Sequence, residues 1–551
     1  MGMRFSSLVG CLGLALAAGC SGDHVTTPTP SACAAGVGTP ISLGVAAYTA
    51  VDPATDSGCV RFAANASTID SAEYLVVAQS AAGTSGQSSP FRLQGGTAAA
   101  TAAALVAAGA SPATRSENAV LFDARMRSMA RNRSYPFVPA ALQAAAPVGA
   151  AMAPPTVGSL RVFKVCGNLS CSSIKNVAAK ARVVGQHIAV YVDTLAPAAG
   201  LDSAELDSLK QVFDTRLYPI DTTAFGGVSD IDSNSVVIVL MTGVVNSLVS
   251  RTQCRQSGFV AGFFFAGDLD PTVSSQFNHG EVFYSIVADP DSTLSCPHTA
   301  AQLDNLTPVT FVHEFQHMIS FDQHVLVRGG NTEEGWLDEG LSKYAEELAG
   351  RSYLPGNNQQ FSNYVIGDLF DANEYLHAPS SSPLLIPEDT GSLADIGASW
   401  LFTRYLVDQF GSGLSLKLHQ TTLTGSANVA AQTGQPFTTL VTRWALANWV
   451  SDLPSFSAPA ELQYSSWHFR TTFASLNSQD PADFPNPYPL VPGTGAGSQV
   501  SITGTLTSGS GAYVRVFQAP SGPAFSLRFT RDGSTALPAA LAPRLDIIRI
   551  R

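Results

Sequence analysis

Between Thr310 and Ile319 the chain reads Thr-Phe-Val-His-Glu-Phe-Gln-His-Met-Ile, an apolar stretch that carries two histidines four residues apart. Helical geometry puts residues i and i+4 one turn apart on a single face, so His313 and His317 can both reach one ion about 2.0–2.1 Å away. Glu314, next to His313, leans towards the same point and can take a proton from an attacking water and pass it to a leaving amine. Val312, Phe315, Met318 and Ile319 mark the helix as buried, and burying His-Glu-His among them is costly unless a metal compensates. This constraint governs what the rest of the chain must build.

A tetrahedral catalytic site needs a third protein ligand. A third His at the metzincin spacing is missing: Ser320 and Gln323 occupy the Gly and His places, and His324 falls one residue late. Downstream runs Glu333-Glu334-Gly335-Trp336-Leu337-Asp338-Glu339-Gly340-Leu341-Ser342-Lys343-Tyr344-Ala345-Glu346-Glu347. Glu333, Glu334 and Glu339 compete for that place, since a first helix ending near Val325 and a turn at Gly329-Gly330 allow an antiparallel second helix to return past the histidines. Asp338 is expected to hold the outer N–H of a histidine.

The segment Trp336 to Glu347 closely resembles the second-helix motif of gluzincins, where the Glu before Gly is the third zinc ligand. With His313 to Ile319 it is similar to the hyicolysin family of secreted metallopeptidases. Gly397 to Leu406 resembles the Gly-Ala helix that follows the ligand helix in gluzincins, including the aminopeptidase N group. The resemblance spans about residues 185–450. It implies an α+β, thermolysin-like core, one Zn2+ held by His313, His317 and Glu339, Glu314 as general base and then acid, and hydrolysis of peptide bonds in a protein or peptide substrate. The oxyanion-stabilising Tyr of the aminopeptidase N group is replaced by Ala394, and its Gly-x-Met-Glu-Asn motif is absent, which favours an endopeptidase. Tyr364, Tyr375, Tyr405 and His377 remain as oxyanion donors to choose among. The competing reading is a non-catalytic surface binding or adhesion protein on a degenerate peptidase scaffold. A serine esterase would need a GxSxG elbow, which the sequence does not contain.

The N-terminus gives the address. Arg4 and the apolar run Leu8 to Ala18 lead to Leu16-Ala17-Ala18-Gly19-Cys20, which resembles a bacterial lipobox. Residues 1–19 then read as a lipoprotein signal, Cys20 as the lipidated residue, and 20–40 as a flexible tether. The alternative is a plain secretory signal with Cys20 incidental. A bacterial cell-envelope location follows, at the outer membrane or cell surface, with membrane contact through the lipid only. The chain has 30 Lys+Arg against 42 Asp+Glu and a net charge of −12, which excludes a phosphate-backbone binder such as a nucleic-acid protein. Eight cysteines less Cys11 and Cys20 leave six. Sequence proximity pairs them as Cys33–Cys59, Cys166–Cys171 and Cys254–Cys296, against a rival reading of Cys166 and Cys171 as metal ligands.

The remaining organisation follows composition and period. Residues 41–97 alternate short apolar runs with turns, as a β-sandwich module would; 98–157 is an Ala-rich linker or pro-segment containing a helix from Glu117 to Arg131. The catalytic domain is placed at 158–455, with strands Leu160–Val165, His187–Val192, Val236–Leu240, Val260–Phe265 and Val282–Val287. Helices are expected over Ser203–Leu217, 305–350 and 397–450. Residues 456–551 read as a second small β-rich module, giving an α+β protein with β-rich ends. Asp230-Ile231-Asp232-Ser233-Asn234 opens like a calcium loop, but Ser235 and Met241 stand where an EF-hand needs Gly and Glu. A turn is favoured there, with bound Ca2+ as the minority reading. His187 and His279 are read as structural.

Overall fold

The computed structural model describes residue 33 and residues 37–95, 117–138 and 153–551. The signal, Cys20 and nearly all of the tether lie outside these residues, as does most of the Ala-rich segment. Among the described residues the chain is a mixed α+β protein with three sheets.

Six strands form the central sheet, in the order Gly262–Phe264, Val282–Ser285, Val237–Met241, Ile188–Asp193, Ile174–Val184 and Leu160–Cys166. The inner strand Val-Ile-Val-Leu-Met is buried along its whole length, as a continuous β-branched and apolar run demands when both faces are covered. Gly262–Phe264 is the edge strand and runs antiparallel to Val282–Ser285. Ile174–Val184, whose alternating Ala and Lys give a weak strand signal, was not expected; every second residue from Val177 to Val183 is nonetheless buried.

The helical half packs beside this sheet. The His-Glu-His helix spans Ala300–Phe321, and Thr299 starts it in a capping box with Gln302, which satisfies N–H groups that have no partner within the helix. It ends in a π-helical turn over Asp322–Leu326, a loop follows, and the second helix runs Gly335–Arg351. The pattern over 397–450 resolves into Leu393–Phe410, Leu414–His419, Gly425–Thr433 and Phe437–Val450. Helix Asn358–His377 was missed by the sequence reading. Two glycines set the spacing of these helices: a Cβ on Gly340 would stand 2.6 Å from the Ser399 carbonyl oxygen, and one on Gly397 would stand 2.0 Å from that of Asp371. Only a hydrogen fits at either crossing.

The two β-rich ends, expected as separate modules, are one sandwich. Ser501–Thr507 pairs with Ser88–Gly95, and Phe525–Thr530 pairs with Cys59–Phe62 and Ser88–Gly95. In the facing sheet Ala72–Ser80 lies between Gly511–Gln518 and Pro543–Arg549. Ala72–Ser80 is buried on both faces because Tyr74, Val76 and Ala78 face the sandwich interior while Leu75 and Val77 join the main core. The tail also holds a helix, Phe469–Gln479, which the β-rich reading of 456–551 did not include. Chain ends with period-2 patterning look like independent modules in sequence, since period carries no information about which strand is the partner.

Disulfides join Cys33–Cys59, Cys166–Cys171 and Cys254–Cys296. The Cys166–Cys171 bond removes both thiolates, so that pair is not a metal site. Among the described residues no helix is long and apolar enough to cross a membrane, and with the disulfides this is compatible with a secreted or surface protein.

Candidate metal centre

His313, His317 and Glu339 come together as a buried group able to hold a metal ion. The two Nε2 atoms are 3.2 Å apart. Glu339 Oε2 stands 3.5 Å from His313 Nε2, and its Oε1 stands 3.5 Å from His317 Nε2. Ligands about 2.0–2.1 Å from one tetrahedral ion are roughly 3.3–3.4 Å from each other, so the two ring nitrogens and the Glu339 carboxylate, each oxygen beside one of them, stand close to the spacing such an ion needs. Two neutral imidazoles and one carboxylate are a donor set suited to zinc and to other divalent transition metals.

The outer nitrogens are held by carboxylates. Asp338 Oδ2 stands 3.0 Å from His317 Nδ1, the place expected for Asp338. His313 Nδ1 meets Glu346 Oε1 at 2.7 Å, a partner the sequence reading missed although Glu346 lies two helical turns beyond Glu339 on the same face. Glu346 is tied to Lys343, which also reaches Asp368 at 3.3 Å and Asp371 at 3.6 Å. Burial alone would lower the His313 imidazole pKa, but bonds to Glu339 and Glu346 carry it well above its ordinary value. Burial likewise opposes ionisation of Asp338 and Glu339, yet the histidines and Arg127 hold both below the usual carboxylate range. Such carboxylate–imidazole pairs fix ring orientation and strengthen the ligand nitrogen.

The rival acids serve elsewhere. Glu333 accepts from the Gly425 N–H and from Asn428 Nδ2, which binds the pre-helix loop to helix Gly425–Thr433. Glu334 is the residue before the second helix and accepts from Trp336 Nε1 at 2.9 Å.

Glu314 is buried, and its Oε2 accepts from the Phe264 N–H at 2.9 Å. The general-base candidate is thereby attached to the edge strand of the central sheet. Arg127 Nη2 lies 3.3 Å from the same oxygen and Arg127 Nε lies 3.8 Å from Glu339 Oε1. Arg127 comes from helix Glu117–Asn132, in the segment read as linker or pro-segment, and no local signal marked it. A cleft of about 920 Å³ opens onto this group, walled by Gly262, His298, His313, Glu314, Glu346 and Tyr364 among others.

Of the oxyanion candidates, Tyr364 lines this cleft. Tyr405 instead donates to the Glu461 carbonyl, Tyr375 stacks on Trp444, and His377 bonds Asn373 and Asn486. His298, which sequence reasoning did not single out, faces the cleft, and burial lowers its pKa. His187 stacks on Tyr218 and His279 bonds Ser274, so both are engaged in packing. Asp230 and Asp232 gather with Glu281 as a second group able to hold a cation. There Arg161 Nη1 lies 3.6 Å from Asp232 Oδ2 and already supplies positive charge.

No protein-family model matches the chain, and no curated protein matches its sequence. The site's own chemistry carries the functional argument.

Proposed function

We propose that the protein is an exported, lipid-anchored zinc metallopeptidase of gluzincin type with a thermolysin-like core, cutting peptide bonds as an endopeptidase. The observation that carries this reading is the His313–His317–Glu339 triangle, with Glu314 on the same helix facing both the cleft and the edge strand. A bound zinc ion supplies Lewis acidity to the scissile carbonyl and to the attacking water. Glu314 takes the proton of that water and returns it to the leaving nitrogen. Asp338 and Glu346 keep the imidazoles oriented. The edge strand Gly262–Phe264 offers peptide groups along which an extended substrate can pair once the cleft is clear. Tyr364 and His298 line the same cleft and are the donors we propose for the developing oxyanion. Cys20, if lipidated, tethers the protein to the envelope.

Purified protein should contain stoichiometric zinc and cleave casein, and a chelator should stop cleavage. Glu314→Gln should keep the zinc and lose hydrolysis by about 10²–10⁴-fold, the contribution of a positioned proton carrier. Wild-type turnover in Glu314→Gln, or zinc-free protein, would overturn the reading.

A further inference from the structure

Helix Glu117–Asn132 is the one part of the Ala-rich segment with regular structure among the described residues. It and the residue after it carry Arg125, Arg127, Arg131 and Arg133, and each arginine faces an acid from the body of the protein. Arg125 meets Asp389 at 3.5 Å, Arg131 meets Glu388 at 3.1 Å and Glu334 at 3.8 Å, and Arg133 meets Asp270 at 3.7 Å. Those outer pairs are partly exposed and individually weak. Arg127 differs: its side chain is only 10% exposed, and it bridges Glu314 and Glu339.

The helix also stands in the way. Ala119 and Asp123 wall the cleft that holds His313 and Glu314, while Arg127 and Arg131 line the adjoining cavity beside Glu339. Asp123, one turn before Arg127, has a buried Oδ1 with no hydrogen-bond partner. Phe122, Met126 and Met129 are buried on the helix's other face, and Phe122 meets Phe263 of the edge strand edge-on at 5.0 Å. A peptide laid along Gly262–Phe264 would run into this helix.

We infer that helix Glu117–Asn132 is a removable internal cover of the metal centre, a basic segment seated in an acid-lined cleft with Arg127 occupying the Glu314 carboxylate. This rests on the peptidase reading above and adds its regulation. Arg127 and the Phe264 N–H both lie on one oxygen of Glu314, so that oxygen is already engaged by protein donors. The helix is tied into the chain at both ends and its apolar face is buried, so its release needs chain cleavage on either side. The two flanking segments, 96–116 and 139–152, lie outside the described residues.

The test uses the full, folded, zinc-loaded chain with a site-specific protease sequence placed in each flanking segment. Cutting both should raise casein hydrolysis and the rate at which a chelator strips zinc by at least ten-fold. A synthetic peptide of residues 117–138 should reverse both, and the same peptide with Arg127→Gln should be at least ten-fold weaker. Uncut Arg127→Gln protein should move in the same direction as the cut. If the cut lowers hydrolysis, or leaves zinc stripping unchanged, the helix is a permanent part of the site and the inference falls while a peptidase reading survives. If stripping accelerates in an Arg127-dependent way but no form hydrolyses peptide, the cover stands and the peptidase reading falls.

Discussion

The metal centre and the β-sandwich are built in opposite ways. The centre takes its three ligand residues from between positions 313 and 339, on two consecutive antiparallel helices. The sandwich joins the two ends of the chain: Ser88–Gly95 is paired with Ser501–Thr507, and Ala72–Ser80 with Pro543–Arg549. One is local chemistry on a helical period; the other is a long-range closure between strands hundreds of residues apart, which carries a large loop-closure cost. The sheet is therefore a clasp around the site-bearing body, and the two regions should fail separately.

The largest separable effect is expected in the sandwich. Ile547 is fully buried between its two sheets, and Ile547→Ala should cost roughly 2–5 kcal/mol of stability, the range for deleting a buried aliphatic side chain. Chemical denaturation would read this loss, while zinc stoichiometry at room temperature should stay that of the wild type. Loss of zinc in the folded Ile547→Ala protein would show that the two regions are one cooperative device.

A smaller, pH-dependent effect belongs to the centre's supporting helices. His419 is fully buried; its Nδ1 bonds the Ser415 carbonyl at 2.8 Å, and Gln316 of the His-Glu-His helix reaches its Nε2 at 2.8 Å. Burial, reinforced by the nearby His324, pushes the His419 pKa down to about 4. The unfolded chain takes up this proton near pH 6.5, so the stability due to neutral His419 is complete above that value and lost as pH falls towards 4. The difference in unfolding free energy between wild type and His419→Gln should shrink by on the order of 2–3 kcal/mol across that window. A difference independent of pH would mean that the buried imidazole does not titrate as described.

The same contrast explains what could be read from the sequence. His313 and His317 were legible as a pair because helical period converts spacing into position, whereas Glu339 and Asp338, on the next helix, were legible only through the motif that the segment resembles; His313, His317 and Glu339 do gather into one group. Glu346 was within reach of the same argument. Arg127 was not: it meets Glu314 across a long stretch of chain, and a helix among alanines gives no sign of what its arginines will face. Strand existence at both ends was legible from alternation, whereas their union into one sandwich was not, because a period of two names a buried face without naming the strand that covers it. Three disulfides matched sequence proximity, joining cysteines 26, 5 and 42 residues apart.

The second helix delivers Glu339, and not its neighbour Glu334, to the two histidines. Zinc content by elemental analysis of Glu339→Ala and Glu334→Ala, each purified and confirmed folded, tests it directly. With Glu339 gone, two imidazoles remain, too few to hold the ion against water, so zinc should fall to background along with hydrolysis. Glu334→Ala removes only a contact to Trp336 and a long pair with Arg131, and should keep stoichiometric zinc. Retention of zinc by Glu339→Ala together with its loss from Glu334→Ala would contradict the account.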